Sequence, residues 1–105
     1  MVFFLMTARH SPESCPQHNA EARKVYNQFY AKLNDLMQKN GVKMVGGWVS
    51  MPEHLVVFVF DVQDSAGMIG FMREPDMVAW QSFHVVENRP VRMFDEAMAL
   101  LKQPS

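Results

Sequence analysis

The spacing of apolar positions changes along the chain, and each change marks an element. Met1-Val-Phe-Phe-Leu-Met6 is continuously apolar, which predicts a buried first strand. His10-Ser-Pro-Glu-Ser-Cys-Pro-Gln-His18 has no regular pattern and two prolines, the signature of a structured loop. From Asn19 to Asn40 the apolar residues Ala22, Val25, Tyr26, Phe29, Leu33, Leu36 and Met37 recur at three- and four-residue steps, as on a helix with one buried stripe. Asn19 can cap it, Glu21 and Lys39 suit the dipole at its two ends, and Asn40-Gly41 offers a left-handed stop. Such a helix is about 33 Å long, enough to cross a sheet.

Val42 to Ser50 and Leu55 to Phe60 read as two strands joined by the hairpin connection Met51-Pro-Glu-His54. The pair Gly46-Gly47 predicts a bulge, or a bend at which another backbone comes close. Asp64 or Ser65 caps a weaker helix through Met72, in which Gly67 and Gly70 each cost about 1 kcal/mol relative to alanine. Pro75 opens another helical turn through Trp80, Phe83 to Val91 forms a fourth strand, and Phe94 to Lys102 closes the chain as a helix with Ala97, Met98 and Leu101 facing inward.

The order β-α-β-β-α-β plus a C-terminal helix is the split βαβ arrangement of an α+β, ferredoxin-like domain with a four-stranded antiparallel sheet, here one domain over residues 1–105. Both alternating sets of the first strand (Phe3, Leu5; Phe4, Met6) and of the third (Leu55, Val57, Val59; Val56, Phe58, Phe60) are apolar. A sheet of that kind is covered on both sides, while these helices suffice for one. Sheet-against-sheet pairing of two copies covers the other and encloses a cavity, so a homodimer is expected.

Composition narrows the classes. With 10 Lys plus Arg against 11 Asp plus Glu the net charge is −1, so the basic footprint of a nucleic-acid or acidic-membrane binder is missing. The apolar start has no basic residue before it and is too short for a signal core or a membrane span. A lone cysteine, Cys15, leaves no intrachain disulfide and suits the reducing cytoplasm. At 105 residues the chain buries only about two-thirds of its unfolded surface, which a second subunit would improve.

With that topology, Gly46-Gly-Trp-Val-Ser50, the apolar strand after it, the short helix ending at Trp80 and the Arg89-Pro-Val91 close of the fourth strand resemble the small dimeric α/β-barrel proteins of the ferredoxin-like class. That superfamily holds cofactor-free monooxygenases, muconolactone isomerase-like enzymes, haem-binding or haem-degrading proteins and stress-responsive barrels. This chain looks most like its small uncharacterised members. The Asn/Trp/His constellation of the haem-degrading members has no matching motif here, so the resemblance carries over no catalytic residue.

The strongest local chemistry is His10-x4-Cys15-x2-His18: two imidazoles and a thiolate on a proline-stiffened loop are suitable ligands for zinc, copper or iron. A three-ligand set implies an open position or a fourth ligand. Glu13 is one option and His84 another, since the fourth strand begins where the first ends; His54 is expected at the opposite end, within reach only through the dimer. The bland alternative is a polar loop with Cys15 as a small buried hydrophobe, and a third reading makes Cys15 a reactive thiol near a helix start. A second candidate is the inter-sheet cavity, with Trp48, Phe58, Phe60, Trp80 and Phe83 as apolar walls for a small-molecule ligand and His84, Glu87, Arg89 or Asp61 orienting it; the same aromatics also serve as core. The ten methionines are scattered without clustering and read as packing material. The sequence therefore points to a cytoplasmic homodimeric α/β-barrel protein binding a transition metal through His10, Cys15 and His18. The alternatives are a metal-free enzyme of the monooxygenase or isomerase kind using the cavity, or a non-enzymatic stress or partner-binding module.

Overall fold

Four strands and four helices are present in the computed structural model, which describes residues 2–102: β1 (Val2–Arg9), α1 (Ala20–Asn40), β2 (Val42–Ser50), β3 (Leu55–Val62), α2 (Ser65–Met72), α3 (Pro75–Gln81), β4 (Val85–Val91) and α4 (Phe94–Leu101). The strands pair antiparallel in the order β2-β3-β1-β4, the expected ferredoxin-like α+β sheet. Met1, expected to open the first strand, lies outside the described residues.

The local chemistry read from the sequence produces the helix ends. The Asn19 side chain accepts the Ala22 N–H at 3.0 Å, Asp64 accepts that of Gly67 at 3.1 Å, and Gly41 stops α1 with φ 66°. β1 runs three residues past the expected Met6 because it is a central strand with a partner on each side to its end, Arg9 lying opposite both Leu55 of β3 and Val85 of β4. β4 starts at Val85 rather than Phe83, since Phe83 and His84 belong to the turn leaving α3, where the His84 N–H donates to the Gln81 carbonyl at 2.9 Å.

One sheet face is covered by α1, α2 and α3, and there lies the core: Met6, Phe60, Val62, Phe71, Met77 and Trp80 are fully buried. Gly67 and Gly70 are required by this packing. A Cβ on either would stand 2.5 Å from Asn40, from its backbone oxygen and side-chain oxygen respectively, so the glycines admit the end of α1 against α2. The register shift between Met44 and Gly46 puts the expected bulge at Val45, but rings rather than backbone approach the glycine pair: Trp48 lies over Gly46 and Phe58 against Gly47.

The opposite face carries Phe3, Leu5, Leu55, Val57 and Val59, all half-buried, and Trp48, 59% exposed. Among the described residues no helix covers it to burial. α4 does not cover it either: none of its residues is buried, and Phe94 and Leu101 are 76% and 75% exposed. The inward placing of Ala97, Met98 and Leu101 is thereby corrected, with Ala97 half-buried and the other two exposed. The short amphipathic helix follows an edge strand and finds little of its own subunit to pack on, and the molecule is correspondingly long, 56 × 31 × 17 Å. Among the described residues no helix is long and apolar enough to cross a membrane.

Candidate functional site

Antiparallel pairing brings three loop ends together. β1 finishes at Arg9 where β3 and β4 both begin, so His10, His54 and His84, each one residue beyond a strand end, meet at one edge of the sheet. His10 is in the middle, its ring centroid 5.3 Å from each of the other two. The expectation that His54 sits at the far end is corrected: β3 runs antiparallel to β1 as its direct neighbour, so the start of β3 lies at the end of β1 within one subunit. His10 N–H donates to the His54 carbonyl at 3.1 Å. The turn Met51-Pro-Glu-His54 ends with His54 at φ 53°, left-handed backbone that a residue with a Cβ adopts only when its surroundings hold it there.

The loop above this edge is tied down residue by residue. A single 3-10 turn, Pro12–Ser14, leads to Cys15, whose carbonyl accepts the N–H groups of His18 at 3.0 Å and Asn19 at 2.8 Å. The Asn19 amide also donates to the Glu13 carbonyl at 3.0 Å, and Arg23, one turn into α1, donates to the carbonyls of Pro16 at 2.9 Å and Gln17 at 3.0 Å. Cys15 is thus turned inward and buried beside His10. A nitrogen of His10, a nitrogen of His54 and the Cys15 sulfur lie within 4.8 Å of one another. They line a small cavity of about 50 Å³ with Tyr26, Val49, Met51 and Val56 among its other walls.

Hydrogen bonds decide which His10 nitrogen keeps a free lone pair. His84 Nδ1 lies 2.6 Å from the Trp80 carbonyl, which only accepts, so Nδ1 carries the proton. Burial holds the His84 pKa down to about 4, with the Trp80 carbonyl acting the other way and His10 adding a smaller lowering. The ring is therefore neutral near pH 7 and its Nε2 accepts the Tyr26 hydroxyl at 2.6 Å. The Tyr26 oxygen in turn accepts from His10 Nδ1 at 3.2 Å. His10, 6% exposed and with its pKa also lowered, first by burial and then by His54, is left neutral with its lone pair on Nε2. That atom is buried without a partner, and so is His54 Nδ1. Two buried imidazole nitrogens without a hydrogen-bond partner therefore belong to the same three-residue group as the Cys15 thiol. Tyr26 keeps its own proton because burial, reinforced by Cys15, raises its pKa.

Of the residues expected at this site, His10 and Cys15 come together, and His54 joins them. His18 and Glu13 are exposed, outside the cluster, and His84 reaches it through Tyr26. The residues expected along the inter-sheet cavity are divided by the sheet, Asp61, Glu87 and Arg89 falling on the open face and Phe60 in the core. Trp48 is on the open face, while Phe58, Trp80 and His84 are on the helix-covered face, Trp80 fully buried and stacked on Phe29 and His84 at 4.7 and 4.3 Å between centroids. Two roomier clefts, about 510 and 450 Å³, are lined by other residues: Val2, Phe3 and 90–93 with Glu96 in one, Phe4, Met68, Met72 and Asn88 among others in the second. Arg23 and Tyr26 were missed as site residues because both fit the helix pattern. The available signal was a tyrosine on the buried stripe, whose hydroxyl must find a partner.

The fold is found elsewhere. A search of the solved structures matches protein Atu4242 from Agrobacterium tumefaciens (TM-score 0.59, 16% identity, 88% of this chain and 92% of that one). It also matches an uncharacterised NIPSNAP domain protein from Burkholderia xenovorans (TM-score 0.55, 16% identity, 90% and 97%). At that identity the likeness supports the ferredoxin-like fold alone. No curated protein matches the chain. Residues 2–105 match one family profile throughout, and the chain belongs to that family, described as Domain of unknown function (DUF3303).

Proposed function

We propose that the protein binds a transition-metal ion through His10 Nε2, His54 Nδ1 and the Cys15 thiolate, with a further coordination position open to a small ligand. The observation that carries this reading is the pair of buried, unpartnered imidazole nitrogens next to a buried thiol. A metal would satisfy all three at once, and neutral imidazoles are the form it needs. Size agrees: about 50 Å³ suits an ion and one small ligand, whereas organic substrates occupy about 300–1,000 Å³. The Tyr26–His84 relay then serves as the outer support of His10, as hydrogen-bond partners of metal-bound histidines do. His54 takes the place that loop spacing assigns to His18.

The functional unit in this proposal is a homodimer, a second copy covering the open sheet face. Most charges on that face occur as opposite-sign neighbours, Lys43 opposite Asp61 and Arg89 paired with Glu87, with Arg9 at the end of β1, so a two-fold copy meets no block of like charge. A reducing cytoplasm keeps Cys15 reduced and so available to a metal.

Titration with Co(II), a spectroscopic substitute for zinc, tests the site. A thiolate-to-cobalt absorption is expected in the wild type and in His18→Ala, and is expected to vanish in Cys15→Ser and His54→Ala. Absence of the band in the wild type, or its loss in His18→Ala with retention in His54→Ala, overturns the assignment.

A further inference from the structure

The cavity walls also bear on which ion is held. Val49 and Val56 are aliphatic, Gln17 brings an amide, and Met51 brings a thioether; the lining includes no carboxylate among the described residues. Hard cations that want several oxygen ligands are poorly served by such a set. Met51 and His54 are the first and last residues of one hairpin turn, closed by the His54 N–H donating to the Met51 carbonyl at 3.2 Å. One turn therefore contributes both Met51, half exposed, and His54 to the lining of the same small space. Among the described residues Met51 is the one methionine that lines it, while Met6, Met68 and Met77 are consumed in the core.

We infer that the site is a copper site, with His10, His54 and Cys15 as a trigonal set and the Met51 thioether as a weaker fourth donor. This rests on the metal reading above and goes beyond it in naming the ion class and an additional ligand. Two imidazoles, a thiolate and a weak thioether are a donor set that copper uses, and thioether sulfur is a soft ligand that favours Cu(I) and adds little for Zn(II). The hydrocarbon of buried Val56 and of half-exposed Val49 lies beside the ion and favours the lower charge of Cu(I).

Overall preference for copper over zinc does not discriminate, because most nitrogen and sulfur sites bind Cu(II) more tightly than Zn(II). The informative quantity is what Met51 contributes to each metal. The full-length chain, reduced and oxygen-free, is titrated with Cu(I) against a chromophoric chelator and separately with Zn(II), as wild type and as Met51→Leu. Cu(I) affinity is expected to fall about tenfold or more in Met51→Leu while Zn(II) affinity stays within about twofold. X-ray absorption at the copper edge is expected to find two sulfur neighbours in the wild type and one in the variant. A single sulfur in both, or equal changes for the two metals, overturns the Met51 assignment and leaves the three-ligand metal site standing. Failure of the wild type to bind either metal overturns both.

Discussion

The Tyr26 hydroxyl stands 2.6 Å from His84 Nε2, and through that contact a histidine outside the proposed ligand set is linked to one inside it. The proton on His84 Nδ1 leaves Nε2 to accept from the Tyr26 hydroxyl, and the Tyr26 oxygen accepts the hydrogen bond donated by His10 Nδ1–H. Tyr26→Phe keeps the ring against Trp80 and removes the oxygen, leaving a donor and an acceptor unpaired. The expected cost is about 1–3 kcal/mol in urea unfolding. Metal affinity is expected to fall about 10–100-fold with the ligands intact. Unchanged affinity would show that His10 needs no such support.

The two lowered histidine pKa values make stability depend on pH in a defined direction. Unfolded, His84 titrates near 6.5; folded, burial holds it down to about 4. Between those values the unfolded chain binds a proton that the native chain does not, so stability is full above about pH 6.5 and is lost progressively as pH falls towards about 4. His10 acts in the same direction. Urea midpoints measured over that window are expected to fall with pH, and His84→Gln is expected to flatten the slope. A wild-type midpoint independent of pH there would contradict the neutral relay.

Gly67→Ala separates helix propensity from packing. Alanine is favoured over glycine in a helix by about 1 kcal/mol. Here the added Cβ would lie 2.5 Å from the Asn40 backbone oxygen, which cannot swing aside. The variant is expected to lose about 1–3 kcal/mol by thermal or urea unfolding. A stabilised variant would mean that α2 and the end of α1 move apart easily.

The open face yields a prediction on assembly. Val57 is central on that face of β3, opposite Trp48 of β2 and Thr7 of β1. Light scattering at micromolar concentration is expected to give a dimer for the wild type and a folded monomer for Val57→Lys, since an unpaired charge at the centre of an apolar interface costs several kcal/mol. A monomeric wild type would remove the second copy from the account.

The sheet, long helix and caps were legible because each has a local cause: Asn19, Gly41 and Asp64 act on backbone within a few residues of themselves. Cys15 and His10 were legible as chemistry for the same reason. The third member of the proposed ligand set was not, because proximity in sequence favours His18, three residues from Cys15, while pairing of β3 to β1 brings His54 across 44 positions from His10. Tyr26 and Trp80 show the converse limit. Spacing identified them as buried, but only the packing of α1 against α3 reveals that one completes a polar relay and the other fills the core. α4 was misjudged because an amphipathic helix has a face to bury, and its sequence does not say whether its own subunit provides the surface.

Elemental analysis of protein purified without an affinity tag tests the metal site most directly, on wild type, His18→Ala and His54→Ala side by side. About one transition-metal ion per chain is expected in the wild type and in His18→Ala, and near none in His54→Ala. Equal, near-zero metal in all three, after incubation with copper and zinc salts and removal of the excess, would contradict it.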